Sequence, residues 1–411
     1  LTMNILYLLD PLRFPVEIIA GFESEGFHFN AKPSKFITKS HIIKWLHRLY
    51  VKVGSNLVRD SDALIINSYL PKIVEFKLNV AFRQFPNMWI QPNYSISEKP
   101  KPALRKKLAE EVTLNLGDNV SRVASLMLFD LLPICFLEGF KSINKIAMQQ
   151  SWPQSPKFIF TSSNFDADEI FKFYTASKVE IGCPYFVGQH GNYGVLRNHN
   201  NPSNEEVTAD KFLTWGWDDN LPQHTPAFLL KSTEKKGVQN FREGGLLLVE
   251  LCIGHRMTTW DNTFEYDQYF KDQLALISGL SYEIRKQVTI RLQYACRYFN
   301  WAEESRWRSF DKALKVDSGA LKIDRLIKKN RLVVHSYDST GILETLARDI
   351  PTLAFWQNNF DDLRDSAKPH YKLLVDVGII HLNPESLACK INEIWDDVDG
   401  WWLSKEVQTA K

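Results

Sequence analysis

The sequence lacks three features, and each absence limits what the protein can be. Its five cysteines are widely spaced and form no CxxC pair, so neither a disulfide framework nor a zinc site is expected, and a reducing compartment is predicted. No uncharged apolar run reaches about 18 residues, so no transmembrane helix is predicted. An excess of one charge is also absent, because 50 Lys and Arg balance 48 Asp and Glu. A nucleic-acid partner is therefore not expected.

Several signatures of common enzyme classes are missing too. The chain has no Walker loop, no GxGxxG fingerprint, no HExxH pair and no GxSxG elbow. These absences argue against the enzymes that those motifs mark. What is present is an ordinary globular composition, with 44% hydrophobic and 24% charged residues.

Length and hydrophobic pattern predict two domains. At roughly 100–200 residues per domain, the 411 residues accommodate two. The opening residues Leu1–Asp10 have no basic region and no cleavage site, which favours a strand over a signal peptide. The following region has apolar residues at helical spacing and is predicted to be an extra helical N-terminal part. Its predicted helices are 41–53, 59–85, 103–116 and 121–141, the last broken at Pro133.

From Lys157 onward, strand patterns alternate with helix patterns, which is typical of parallel α/β sheets. The predicted elements before a charged linker at 231–245 are strands 157–161, 185–188 and 212–215 and a helix at 166–182. After the linker they are strands 246–253, 287–294, 332–335 and 352–355, with helices at 341–348 and 384–397. We predict an α/β fold of two Rossmann-like domains, the GT-B type, over 1–235 and 245–385, followed by C-terminal helices at 386–411.

The second domain is predicted to hold a nucleotide, because parallel sheets bind ligands at the carboxyl ends of their strands. Its most informative loop runs from His335 to Gly341 and leads into a helix. Small hydroxyl residues there leave backbone N–H groups free for a phosphate, although Asp338 or Ser339 could be an ordinary helix cap. The predicted donor-binding residues are His255, Arg256, Arg291, His335, Ser339, Thr340 and Glu344, the last for a ribose hydroxyl.

The first domain has a glycine-rich loop directly after its strand at 185–188. Glycines permit tight turns, and a histidine at a strand end is suited to proton transfer or to holding a substrate. The alternative is a structural histidine that is satisfied by backbone groups. We predict His190 as a catalytic residue and Gln189, Gly191 and Tyr193 as substrate contacts.

Three acids of the first domain are candidates for catalysis. Asp166 and Asp168 form a D-x-D triplet that could bind a divalent metal, but the triplet also begins a helix, where Asp166 would be an N-cap. A catalytic carboxylate is favoured, and no metal is predicted. Glu138 is a lone acid in an apolar run, which is either structurally paired or catalytic. Asp210 precedes its strand and is predicted to be structural.

Three segments together resemble a known family. FVGQHGNYG at Phe186–Gly194, ADKFLTWGW at Ala209–Trp217 and STGILETLARDIPTLAFW at Ser339–Trp356 are similar to transferases of O-antigen and surface-polysaccharide gene clusters. That family is similar to the retaining β-Kdo transferases, which use CMP-Kdo. The resemblance implies a two-Rossmann GT-B fold, a Kdo donor, no metal cofactor and a bacterial cytoplasmic enzyme, peripheral at the inner membrane. It also implies a lipid-linked or oligosaccharide acceptor.

The resulting hypothesis is a retaining glycosyltransferase, in which one carboxylate carries the sugar briefly. Asp166 or Asp168 would be this nucleophile, with Glu138 as its acid partner. One alternative is an inverting transferase of the same fold with His190 as the general base. Others are a sugar-nucleotide epimerase or hydrolase, which needs no acceptor, and a glycan-binding module without catalysis.

Overall fold

A computed structural model describes residues 46, 49–92, 94–113, 119–191, 202–232, 243–251, 266–298, 302–355, 360 and 363–411. In this part of the chain, no helix has both the length and the apolar character needed to cross a membrane. The described residues form two compact units. Unit 1 contains those up to Ile66 together with Phe76–Ile159 and Asn164–Pro184, and unit 2 contains Asn67–Glu75, Phe160–Ser163 and Tyr185–Lys411.

The described residues up to 232 form short strands and helices. The strands are β1 (Leu64–Ile65), β2 (Ile159–Thr161), β3 (Tyr185–Gly188), β4 (Lys211–Thr214) and β5 (His224–Pro226). The helices are α1 (Lys72–Ala81), α2 (Pro102–Thr113), α3 (Asn119–Leu131), α4 (Phe140–Met148), α5 (Asn164–Ala167), α6 (Glu169–Glu180) and α7 (Asn204–Thr208).

The described residues from 243 onward continue the alternation. The strands are β6 (Gly245–Val249), β7 (Val288–Arg291), β8 (Lys315–Asp317), β9 (Asn330–His335), β10 (Thr352–Phe355) and β11 (Ile380–His381). The helices are α8 (Tyr266–Gly279), α9 (Tyr282–Arg285), α10 (Tyr294–Tyr298), α11 (Glu303–Phe310), α12 (Ile323–Ile327), α13 (Thr340–Leu346), α14 (Lys368–Asp376), α15 (Pro384–Ile394), α16 (Val398–Trp402) and α17 (Lys405–Ala410).

The first sheet has the strand order β1-β2-β3-β4-β5. Strands β3, β4 and β5 pair in parallel, with Val187 opposite Phe212 and Phe212 opposite His224. Val187 and Phe212 are fully buried, as expected for a parallel sheet that is covered on its faces. The carboxyl ends of these strands therefore lie at one edge, where their following loops gather.

The second sheet has the order β11-β10-β9-β6-β7-β8, and all of its strand pairs are parallel. Side chains alternate between its faces. Leu246 and Leu248 lie in a core that also holds residues of α8 and α15, whereas Leu247 and Val249 lie in one that holds residues of α12. The strand order reverses between β6 and β9, and such a reversal opens a ligand crevice at the carboxyl ends of the strands.

The structure confirms the predicted α/β class and corrects several of the predicted elements. One helix over 59–85 is wrong: the run Ala63–Ile66 is buried and contains β1, and α1 begins only after Pro71. One helix over 166–182 is also wrong, because Asp168 is not helical and its carboxylate caps the start of α6. Strands β5, β8 and β11 were missed, since they are only two or three residues long.

Candidate functional site

Gln189 fixes the loop that follows β3. Its side-chain oxygen accepts hydrogen bonds from the Trp215 backbone N–H at 2.9 Å and from Trp217 Nε1 at 2.8 Å. Its amide nitrogen donates to the Gly191 carbonyl at 3.0 Å. The side chain is only 1% exposed. Gln189 was predicted to contact substrate, and the structure places its side chain inside the protein, where it supports the loop.

His190 lies beside an acid that the sequence did not single out. Its Nδ1 is 3.9 Å from Glu205 Oε1, and the two side chains are 33% and 11% exposed. Glu205 lies on the short helix α7. An imidazole that substrate can reach can accept and return a proton, and a neighbouring carboxylate can stabilise the positive charge that the ring carries in between. The sequence signal was slight, because Glu205 belongs to an ordinary Glu-Glu pair on a helix that was not predicted.

A strained loop after β1 lies against this histidine. The Tyr69 ring meets the His190 ring edge-on at a centroid distance of 6.2 Å. Tyr69 has a φ of 60°, a left-handed conformation that is uncommon outside glycine and is enriched at functional sites. Lys231 Nζ lies 4.5 Å from the Tyr69 ring centroid and 3.5 Å from Glu344 Oε1. The Tyr69 ring is therefore in contact with a cation that is itself paired with an acid.

The loop after β3 also approaches the start of α13. A Cβ placed on Gly191 would lie 3.5 Å from Thr340 Oγ1, so the backbone at Gly191 passes close to that hydroxyl. His190, Gly191, Thr340 and Glu344, predicted from separate loops, are therefore connected through short contacts within unit 2. This edge is the candidate functional site.

His335 and Ser339, two further residues predicted to bind the donor, instead support the loop between β9 and α13. His335 is 3% exposed, and a Cβ on Gly341 would lie 2.5 Å from its ring. Burial lowers the pKa of His335 to about 3, so the ring is neutral at ordinary pH. The Ser339 hydroxyl accepts from the Gly341 N–H at 2.9 Å, which confirms the N-cap interpretation for this residue.

The reversal point of the second sheet contains a polar group that the sequence did not reveal. The Tyr269 hydroxyl is 2.7 Å from Ser336 Oγ, after β9, and accepts from the Leu251 N–H at 2.8 Å, after β6. The adjacent Glu250 accepts from Trp307 Nε1 at 3.2 Å. Burial, reinforced by the charge of Glu303, raises the pKa of Glu250 to about 8. Glu250 is therefore largely protonated at neutral pH.

The other predicted donor residues have different positions. Arg291 ends β7 and is in register with Val249 at the carboxyl edge of the second sheet. His255, Arg256 and Tyr193 lie outside the described residues.

The three predicted catalytic acids belong to unit 1. Glu138 accepts from Arg105 Nε at 2.8 Å and Nη2 at 2.7 Å and from the Lys101 N–H at 2.7 Å. These bonds lower its pKa to about 2. Asp168 caps α6 and accepts from Asn164 at 3.0 Å, and burial raises its pKa. Asp166 is exposed and is the acid of this set that is best placed to meet solvent or a ligand.

One group of described residues has the spacing of metal ligands. Glu206, Asp219 and His224 offer atoms within 4.8 Å of one another. Arg364, however, already binds Glu206 through two bonds of 3.0 and 3.1 Å and Asp219 through one of 3.2 Å. A divalent cation would meet this guanidinium at close range. The group is therefore better described as a charge-compensated ion cluster than as a metal centre.

The chain is similar to several solved structures, at low sequence identity. An Acinetobacter baumannii MurG structure shares 11% identity over 75% of this chain and 90% of its own, with a TM-score of 0.40. A Rickettsia africae glycosyltransferase shares 14% over 75% and 88%, with a TM-score of 0.37. A Listeria monocytogenes structure assigned as a UDP-N-acetylglucosamine 2-epimerase shares 10% over 86% and 91%, with a TM-score of 0.46. Scores of this size establish no shared function.

The sequence comparisons are more decisive. No curated protein matches the chain. The sequence model of the LIC12162 family transferase matches residues 21–411, which is nearly the whole length. The chain belongs to the LIC12162 family of transferases.

Proposed function

We propose that this protein is a glycosyltransferase that takes a sugar from a nucleotide donor. Its membership of a transferase family supports this proposal. The observation that carries it is the His190–Glu205 pair, at the carboxyl end of β3 and close to Thr340 of the second sheet's loop. Such strand-end edges are where α/β sheets bind nucleotides.

In the proposed transfer, His190, Glu205 and Lys231 each have a role. The bond from the anomeric carbon to the phosphate oxygen breaks, and the nucleotide leaves with the electron pair. The acceptor hydroxyl forms its bond to this carbon either directly or after a carboxylate has held the sugar, and in both routes it gives its proton to His190. Glu205 stabilises the imidazolium that forms. Lys231, at the same edge, is the cation that would balance a donor phosphate.

The resemblance to β-Kdo transferases extends the proposal to a CMP-Kdo donor and a retained configuration. Retention needs a carboxylate that attacks the anomeric carbon first. Asp166 is the candidate because Asp168 and Glu138 are engaged in internal bonds. A sugar adduct on Asp166, seen by intact-protein mass spectrometry with a slow acceptor, would support this step. A fully active Asp166→Asn variant would exclude it.

A second candidate is an inverting transferase of the same architecture. The His190–Glu205 pair favours it, because a base with a carboxylate partner is sufficient for a single displacement and needs no nucleophile. The anomeric configuration of the product, determined by NMR, separates the two. A configuration opposite to that of the donor would establish inversion.

The donor is tested with a panel of nucleotides. CMP should raise the melting temperature more than UDP, GDP or ADP at equal concentration. At about 100-fold above Kd the stabilisation is about 2.7 kcal/mol, which a thermal scan resolves. A preference for UDP or GDP would remove the Kdo proposal and retain the transferase. Conversion of a donor to its epimer without acceptor would contradict the transferase proposal itself.

A further inference from the structure

Four charged or titratable side chains meet in a buried cluster behind the His190 loop. Arg364 binds Glu206 through two parallel bonds of 3.0 and 3.1 Å and reaches Asp219 at 3.2 Å. His224 lies between the same acids, with Nε2 2.9 Å from Glu206 and Nδ1 2.5 Å from Asp219. Because buried carboxylates need close partners, removing one member leaves another unpaired.

Arg364 is the member of this cluster that contacts Glu206, Asp219 and the ring of Trp217 together. It follows β10 in the chain, 158 residues from Glu206, and its side chain is 1% exposed. The guanidinium lies 5.0 Å from the centroid of the Trp217 ring. A planar guanidinium can bind a carboxylate with both nitrogens and stack on an aromatic ring at once, which an ammonium group cannot do.

Two contacts of Arg364, those with Glu206 and Trp217, lead to the proposed catalytic pair. Glu206 is the immediate neighbour of Glu205 on helix α7. Trp217 donates to Gln189 at 2.8 Å, and Gln189 directly precedes His190. One guanidinium therefore supports the acid through its adjacent residue and the histidine through the residue before it.

We propose that Arg364 is a positioning residue that sets the separation of His190 from Glu205. The inference rests on the proposed function, in which His190 moves a proton. Among the described residues, Arg364 contacts Glu206, Asp219 and Trp217 but neither member of the pair. Its effect would therefore pass through Glu206 and Trp217. Small displacements are costly in such a pair, since a shift of about 1 Å at a catalytic group can lower the rate about 100-fold.

The test is the Arg364→Lys variant, which keeps the charge and loses the planar fork. Its kcat should fall about 10- to 100-fold, with nucleotide Kd within about threefold of wild type. Arg331→Lys is the matched control, because Arg331 also lies over a tryptophan, 4.8 Å from the Trp395 ring. The control should keep wild-type kcat and Kd.

A double-mutant cycle separates positioning from general stability. If Arg364 acts through the pair, Arg364→Lys in a Glu205→Gln background should cost less than about threefold more in kcat. Trp217→Phe keeps a ring over Arg364 but removes the bond to Gln189. It should lower kcat as well, which gives a second test if Arg364→Lys does not fold.

Crystal structures of wild type and variant decide the matter independently of activity. The His190 Nδ1 to Glu205 Oε1 distance should change in Arg364→Lys or, if that variant does not fold, in Trp217→Phe. An unchanged distance, or fully additive effects in the cycle, would overturn the proposal. Wild-type kcat in His190→Gln would overturn the proposed function instead, while the measured distance would still decide the role of Arg364.

Discussion

Glu138 of unit 1 and Glu205 of unit 2 are both acids that lie beside a basic side chain, yet their surroundings differ. Arg105 and the Lys101 N–H bind both oxygens of Glu138 at 2.7–2.8 Å, and its side chain is buried. Glu205 lies 3.9 Å from a histidine that is one-third exposed. Tight internal bonding suits an acid that holds the fold, whereas a looser contact with a reachable histidine suits one that takes part in chemistry.

The largest expected effect comes from replacing His190, the histidine beside Glu205. His190→Gln should lower kcat by about 100- to 10,000-fold, the range for loss of an acid–base group. Nucleotide Kd should stay within about threefold. His370→Gln is the control: His370 is an exposed histidine, and its replacement should leave kcat unchanged. Steady-state kinetics with a fixed donor measures the kcat of both variants. Equal kcat in the two variants would show that His190 is not the catalytic acid–base group.

Exchanging the two acids for amides tests the comparison itself. Glu205→Gln should lower kcat about 10- to 100-fold with little change in melting temperature, because the imidazolium loses its charge partner. Glu138→Gln should do the reverse, lowering the melting temperature while the folded enzyme keeps its kcat, because Arg105 is left without its carboxylate. The same outcome for both variants, in either measurement, would erase the distinction.

A smaller effect concerns the pH dependence of stability. Glu250 has its pKa raised from 4.5 to about 8 in the folded protein. A raised folded-state value contributes stability below about pH 4.5 that is lost as the pH rises through 8. The melting temperature of Glu250→Gln should therefore decline less than that of wild type between these values.

The control for this series is Glu304→Gln, which removes an exposed acid paired with Arg308. It should follow the wild-type curve. Parallel curves for wild type and Glu250→Gln would show that Glu250 has an ordinary pKa in the folded protein.

The sequence predicted the four inner strands of the second sheet, β6, β7, β9 and β10, because they are largely apolar, the pattern of strands that are covered on both faces. It missed the two short edge strands, β8 and β11. Strand β10 was predicted at its observed bounds. Strand β5 escaped because His224-Thr225-Pro226 is polar and short, and its place depends on pairing with β4. Asp168 illustrates a local limit, since either acid of the triplet could have capped the helix.

The candidate site was predictable only where its residues follow the ends of strands. His190, Gly191 and Thr340 come directly after strands or begin a helix, and they were selected because parallel sheets bind ligands at the carboxyl ends of their strands. Glu205, Lys231 and Arg364 did not follow that rule. Their positions depend on contacts such as the one between Arg364 and Glu206, 158 residues apart, which no local pattern encodes.

The most direct test is a crystal structure of the protein with a non-transferable nucleotide-sugar analogue and an acceptor. We expect a His190 ring nitrogen to lie about 2.6–3.2 Å from the attacking acceptor hydroxyl, the reach of a general base. We also expect the donor phosphate to lie near Thr340 and Lys231. A donor bound elsewhere, with its anomeric carbon more than about 10 Å from His190, would contradict the proposed role of His190, because proton transfer needs hydrogen-bond contact.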